Sequence, residues 1–176
     1  HKDHQYPFPD WKTFNDLTKG GFAKKRIHLF IAGTNVGKSL AMVNMAIQLV
    51  KGGSNVLYVT AEDGENAIIE RVDGSNLDME TASLPLLTKK TYIEKIKELQ
   101  ARSDGKLVVK EYPTAMANVN HVRALIDELE IKEDFKPDFI VLDYINIFGS
   151  IRYQNMGDTY VLVKSVTEEF RGLGVE

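Results

Sequence analysis

Residues 32–39 read Ala32-Gly33-Thr34-Asn35-Val36-Gly37-Lys38-Ser39, and the fold turns on how this octet is read. It fits the phosphate-loop (Walker A) pattern G-x-x-x-x-G-K-[ST], with alanine in the first place. Small residues let successive backbone N–H groups turn inward around a phosphate, and the helix that follows adds the positive end of its dipole. The Lys38 ammonium suits the β- and γ-phosphates of a nucleotide, and the Ser39 hydroxyl suits Mg²⁺. Such a loop is persuasive only between an apolar strand and a helix, and both flanks read that way. Residues 27–32 (IHLFIA) predict a buried strand. Residues 39–51 predict a helix with Leu40, Val43, Ile47 and Val50 on one stripe and Asn44, Gln48 and Lys51 opposite, stopped by Gly52-Gly53.

Outward from this unit, apolar runs alternate with helix-period segments. Residues 55–60 (NVLYVT) read as a second strand and 65–72 as a helix, while 74–87 show no clear period and read as an excursion. A helix over 91–102 turns Ile93, Ile96 and Leu99 inward, and Leu107–Glu111 (LVVKE) is a third strand. A helix over 117–131 follows, on the stripe Val119, Val122, Ile126 and Leu129, then a fourth strand, Phe139–Asp143 (FIVLD). A loop over 148–158 holds Gly149 and Gly157, and a last helix over 160–173 sits on Val163, Val166, Phe170 and Leu173. Fully apolar strands separated by helices predict an α/β fold, a mostly parallel sheet with helices on both faces. Residues 1–13 read as a linker or arm, broken by Pro7 and Pro9, and 14–176 as the core. Trp11, the sole tryptophan, is a candidate anchor for the arm on this domain or a neighbour.

Composition excludes several function classes. The 176 residues hold 22 positive and 25 negative side chains, a net charge of −3, which argues against coating nucleic acid with the whole surface but not against a local basic site. Cysteine is absent, so disulfide frameworks, thiolate zinc sites and cysteine nucleophiles fall together. His1, His4, His28 and His121 lack paired metal-binding spacing. No apolar run approaches the roughly 18 residues of a membrane span, and a soluble, cytoplasmic domain is expected. Lys24-Lys25-Arg26 reads as a solvated turn, and Glu168-Glu169 fits the outer face of the last helix.

In a parallel sheet, ligands bind beyond the carboxyl ends of the strands. Asp143 closes FIVLD in the Walker B form and is a candidate for holding Mg²⁺. Glu62 lies just past the second strand, where a carboxylate can orient or deprotonate a water for in-line attack, with Asp63 and Glu65 as rivals.

These motifs together resemble the RecA-type ATPase of DnaB-type replicative hexameric helicases. Family members share the alanine-led phosphate loop, the glutamate after the second strand, an Asp-Tyr pair ending the Walker B strand (Asp143-Tyr144 here), and an arginine nine residues after that glutamate, which Arg71 matches. The flanking segments GGFAKKRIHLFIAGTNVGKS, VLYVTAED and TYVLVKSVTEEFRGLGVE are similar to the branch found in T-even-type bacteriophages.

The resemblance implies a RecA-like P-loop NTPase that uses ATP or another NTP with Mg²⁺ and works as a homo-hexameric ring on single-stranded DNA. Primase and a helicase loader are implied as partners, and the host cytoplasm as the compartment if the chain is phage-encoded. By position, Gly33, Thr34, Asn35, Val36, Gly37, Lys38, Ser39 and Leu40 would bind nucleotide. Glu62 and Lys38 would serve catalysis, and Ser39 with Asp143 the metal. The loop after Walker B would line the channel, making Arg152 a phosphate contact and Tyr153 a stacking candidate.

Family members also continue into a polar sensor strand, a second DNA loop and an arginine finger. The chain is therefore expected to bind nucleotide, turn it over slowly and unwind nothing by itself. Competing readings are a RecA-like recombinase or other DNA-filament ATPase, a P-loop small-molecule kinase, and a non-catalytic nucleotide-binding module.

Overall fold

Three parallel strands carry the fold. In the computed structural model, which describes residues 5–33, 35–112, 117–145, 148–153 and 158–175, the elements run in chain order as follows. The ribbon strand β1 (Gln5–Tyr6), helix α1 (Lys12–Thr18) and strand β2 (Phe22–Ala23) come first. Then come α2 (Lys38–Lys51), β3 (Val56–Thr60), α3 (Glu65–Leu77), a 3₁₀ turn (Thr81–Leu86) and α4 (Lys89–Gln100). The chain goes on through β4 (Leu107–Glu111), α5 (Val119–Glu133), β5 (Phe139–Asp143) and α6 (Thr159–Leu173). The parallel sheet has the order β4-β3-β5, with Thr60 opposite both Glu111 and Asp143. β1 and β2 form a separate antiparallel ribbon.

Side chains of β3 alternate between two cores. Leu57 and Val59 pack with Val122, Leu125 and Leu129 of α5 and Val166 and Phe170 of α6. Val56 and Tyr58 pack with Val43, Ala46 and Ile47 of α2, Ile68 of α3, and Phe8 and Phe22. Every residue of β3 is buried, so the predicted cover on both faces is present. Among the described residues no helix is long and apolar enough to cross a membrane.

The expected strand over 27–32 is the main departure. These residues carry no regular secondary structure, and Leu29 and Ile31 are exposed. A strand is a hydrogen-bonded state and needs a neighbour. Among the described residues β5 pairs with β3 alone, and residues 27–33 and 139–142 both line a cavity of about 1800 Å³. An apolar run with no ladder partner stays extended and unpaired.

Smaller corrections share one cause, the position of neighbours that periodicity does not see. On α2, Leu40 is exposed, whereas Gln48 is buried because its amide exchanges hydrogen bonds with Asp10. On α4, Ile93 is exposed and no residue is fully buried. The stretch 74–87 is more ordered than expected, since α3 runs on to Leu77 and the 3₁₀ turn follows. On α6, Glu169 is buried rather than outward, while Glu168 is exposed.

From Gln5 onward the arm lies on this domain. Phe8 is fully buried and stacks on Trp11 with ring centroids 5.7 Å apart. The turn that returns the chain to β2 demands glycine at position 21, where φ is +106° and a Cβ would stand 1.9 Å from the Tyr6 carbonyl oxygen. Gly21→Ala is therefore expected to open the β1–β2 ribbon and lower stability by about 2 kcal/mol or more, read from a urea titration.

Candidate active site

The carboxyl ends of β3 and β5 lie side by side. By strand alternation Tyr58, Val141 and Asp143 share the face that packs against α2. Asp143 is 1% exposed. One of its oxygens, Oδ1, accepts from Lys38 Nζ at 2.9 Å, and Oδ2 accepts from the Tyr58 hydroxyl at 2.9 Å. Ser39 also helps to hold this carboxylate charged. Burial alone would raise its pKa, but the bonds from Lys38, Ser39 and Tyr58 outweigh that effect and hold it below the usual carboxylate range. Lys38 Nζ also sits 4.3 Å from the centroid of the Tyr144 ring, giving the second member of the Asp-Tyr pair a cation–π contact with the loop lysine.

The phosphate loop reaches α2 through left-handed backbone at Asn35 (φ 60°) and Gly37 (φ 87°). Gly37 is the N-cap of α2 and supplies no side-chain cap, so the first-turn N–H groups face outward as an anion-binding surface. Gly33, Asn35, Val36 and Gly37 are exposed, and Leu40 is 51% exposed at the same mouth. Thr34 lies outside the described residues.

The three acids after β3 have different surroundings. Thr60 Oγ1 donates to the Asp63 carbonyl and accepts from the Asp63 N–H, and the Asp63 carboxylate pairs with Arg71 at 2.5 Å. Glu65 accepts from the Glu111 backbone N–H at 3.0 Å and faces Lys110, which commits it to β4. Glu62 is exposed and lines the large cavity with Lys38 and Ser39, as Asp63 and Arg71 also do, but Asp63 is engaged by Arg71. Its turn is braced where the Ala61 N–H donates to the Asp143 carbonyl at 3.0 Å. The structure thus brings Lys38 onto Asp143, while Glu62, Lys38 and Ser39 line one large cavity and Asp143 itself is buried off its wall.

The donor set fits a hard cation. Asp143 and Ser39 offer a carboxylate and a hydroxyl, and among the described residues no cluster of three or more His, Cys, Asp or Glu could hold a metal unaided. Mg²⁺ suits such a site, because it keeps several waters and is commonly held by one or two protein oxygens plus substrate phosphates.

Arg152 and Tyr153 stand elsewhere, on the segment that follows β5. The Glu169 carboxylate accepts from the Ser150 hydroxyl at 2.6 Å and from the backbone N–H groups of Ile151 and Arg152, each at 3.1 Å. The Arg152 and Tyr153 N–H groups also donate to Ser150 Oγ. The backbone is thereby fixed, while the Arg152 residue is exposed. The rest of this loop, 154–157, lies outside the described residues.

Tyr58, Tyr144 and Glu169 are site residues that sequence reasoning did not assign. A tyrosine in the middle of a short apolar strand was the available signal for Tyr58. Glu169 offered none, since only the fold brings the loop to it.

Fold and site together define an α/β RecA-like P-loop NTPase domain. The family model described as "ATPase: KaiC" matches residues 11–176. The chain belongs to that family. It is 35% identical over 179 aligned residues to a DnaB-like replicative helicase of Enterobacteria phage T4, covering 99% of this chain and 38% of that protein. It is 28% identical over 146 residues to DNA repair protein RadA of Campylobacter jejuni, covering 77% of this chain and 32% of that protein. A solved DnaB-like replicative helicase, described with its interactions with primase, superposes with a TM-score of 0.71 at 13% identity, over 99% of this chain and 41% of that one. At that identity the structural match speaks to fold. The chain thus spans roughly a third to two fifths of the length of these relatives. It is a RecA-fold ATPase domain homologous to those of DnaB-like replicative helicases.

Proposed function

We propose that this chain is the nucleotide-hydrolysing portion of a replicative DNA helicase motor. In this reading Gly33, Thr34, Asn35, Val36, Gly37, Lys38, Ser39 and Leu40 bind ATP or another NTP, and Ser39 and Asp143 hold its Mg²⁺. Lys38 steadies the β- and γ-phosphates, and Glu62 orients and deprotonates the attacking water. Bound Mg²⁺ supplies charge neutralisation at those phosphates. The observation that carries the reading is the 2.9 Å ion pair between Lys38 of the phosphate loop and Asp143 at the end of β5.

The same reading makes single-stranded DNA the polymer, a homo-hexameric ring the assembly, and Arg152 a backbone contact in the ring's channel. Residues 1–13 are then the arm that leads in from a preceding domain. Primase is a partner by analogy with the solved helicase described with its primase interactions, and a loader is the further partner that the family resemblance implies. The RadA similarity favours a second reading, a DNA-filament ATPase; rings rather than filaments under the electron microscope would decide for the helicase.

The test is Glu62→Gln, with nucleotide binding and turnover measured separately, with and without single-stranded DNA. Nucleotide affinity is expected to stay within about twofold while turnover falls about 100-fold or more. Undiminished turnover in the variant would overturn the assignment of Glu62.

A further inference from the structure

We infer that Tyr58 is a positioning residue for Asp143, its buried hydroxyl holding one carboxylate oxygen so that the other is presented to the cation at the phosphate loop. This inference rests on the nucleotide-site reading above and deepens it.

The two oxygens of Asp143 are divided between donors of different kinds. Oδ1 meets Lys38, whose side chain is 21% exposed and lines the cavity. Oδ2 meets the hydroxyl of Tyr58, which is fully buried and does not line it. Asp143 is itself 1% exposed and off the cavity wall, so it meets the cavity through Lys38, while Tyr58 holds its other oxygen from within the core. A nucleotide entering the cavity competes for Lys38, because phosphate oxygens are strong partners for an ammonium. It has no route to Tyr58. Once Lys38 is engaged by phosphate, Tyr58 remains the buried donor that keeps the carboxylate from turning.

The hydroxyl is not needed for packing, since phenylalanine would fill the same place between β3 and α2. Burial, and then the neighbouring Asp143 charge, push the phenol far above its ordinary pKa, so it remains a proton donor throughout the working pH range. Partners of this kind orient metal-binding carboxylates, and their loss typically weakens metal affinity or activity about 10- to 100-fold.

The experiment is Tyr58→Phe, read as the Mg²⁺ concentration that gives half-maximal binding of a fluorescent ATP analogue, with circular dichroism as the check on folding. That midpoint is expected to rise about tenfold. In an Asp143→Asn background the same substitution should have no further effect, which a purely structural role would not produce. A midpoint that moves less than about twofold, or that moves equally in both backgrounds, overturns the inference.

Should Tyr58→Phe fail to fold, 3-fluorotyrosine placed at position 58 gives the second measurement. Its ¹⁹F resonance should shift when Asp143 is replaced by asparagine, and an unmoved resonance overturns the inference. A parent protein that binds no Mg²⁺-nucleotide sinks the nucleotide-site reading instead, and the fluorine shift still decides whether Tyr58 holds Asp143.

Discussion

Lys38→Ala is expected to weaken Mg²⁺-nucleotide binding by about 100-fold or more, since it deletes charge-assisted bonds to phosphate. Titration with a fluorescent nucleotide measures this, and unaltered affinity would remove Lys38 from the site. The same substitution also has an effect in the absence of nucleotide. Asp143 is 1% exposed, and Lys38 is its one cationic partner among the described residues. Breaking a fully buried ion pair costs about 3–5 kcal/mol. Here Lys38 is 21% exposed and the Tyr58 hydroxyl still holds the carboxylate, so a stability loss of about 1–2 kcal/mol is expected. In an Asp143→Asn background that loss should largely vanish, because no buried charge is left uncompensated.

The pH dependence follows from the direction of the Asp143 shift. Its pKa is lowered in the folded chain. The link is therefore fully stabilising above the unfolded carboxylate value of about 3.9, and its contribution is lost as pH falls through the lower folded value. Lys38→Ala removes part of what depresses that value, so in an acid melting series the variant should lose less stability than the parent over the same fall in pH.

Phe8→Ala should be among the most destabilising single substitutions, costing about 3–5 kcal/mol. Phe8 is fully buried, with Phe22 and Phe14 set edge-on against it at centroid distances of 4.8 and 5.0 Å. Its backbone is clamped as well, its N–H donating to Asn15 Oδ1 and its carbonyl accepting from Asn15 Nδ2, both at 2.8 Å. Truncating the ring leaves a cavity that this clamp prevents from collapsing. Trp11, the only tryptophan, lies against Phe8, so its fluorescence reports the site directly during urea unfolding. A change below about 1 kcal/mol would mean that the arm contributes little to the fold.

The sequence made strands and their order legible wherever a segment carries its own periodicity and its own partners. Leu107–Glu111 and Phe139–Asp143 form as expected, and the octet at 32–39 leads into α2. Residues 27–32 show the limit, since an apolar run predicts a strand but says nothing about whether a neighbour is present to complete its ladder. Gln48, Glu169 and Phe8 fail for a related reason. Two are polar residues buried by partners 38 and 17–19 residues away, and the third is an arm residue whose ring finds a core. The meeting of Lys38 with Asp143 was legible because a phosphate loop and a strand end place them side by side. The arrangement that divides Asp143 between Lys38 and Tyr58 was not, because it depends on which residues of two parallel strands face the same helix.

The bonds between Asp10 and α2 have a mechanical side. At its C-terminal end α2 meets the arm, where Gln48 Nε2 and Lys51 Nζ both donate to Asp10 Oδ2 at 2.8 Å and Gln48 Oε1 accepts from the Asp10 N–H. At its N-terminal end the same helix begins at Lys38. Its 14 residues make a stiff rod of about 21 Å, seated in the arm at one end and in the phosphate loop at the other. Arm and phosphate loop are thus held at opposite ends of a single helix.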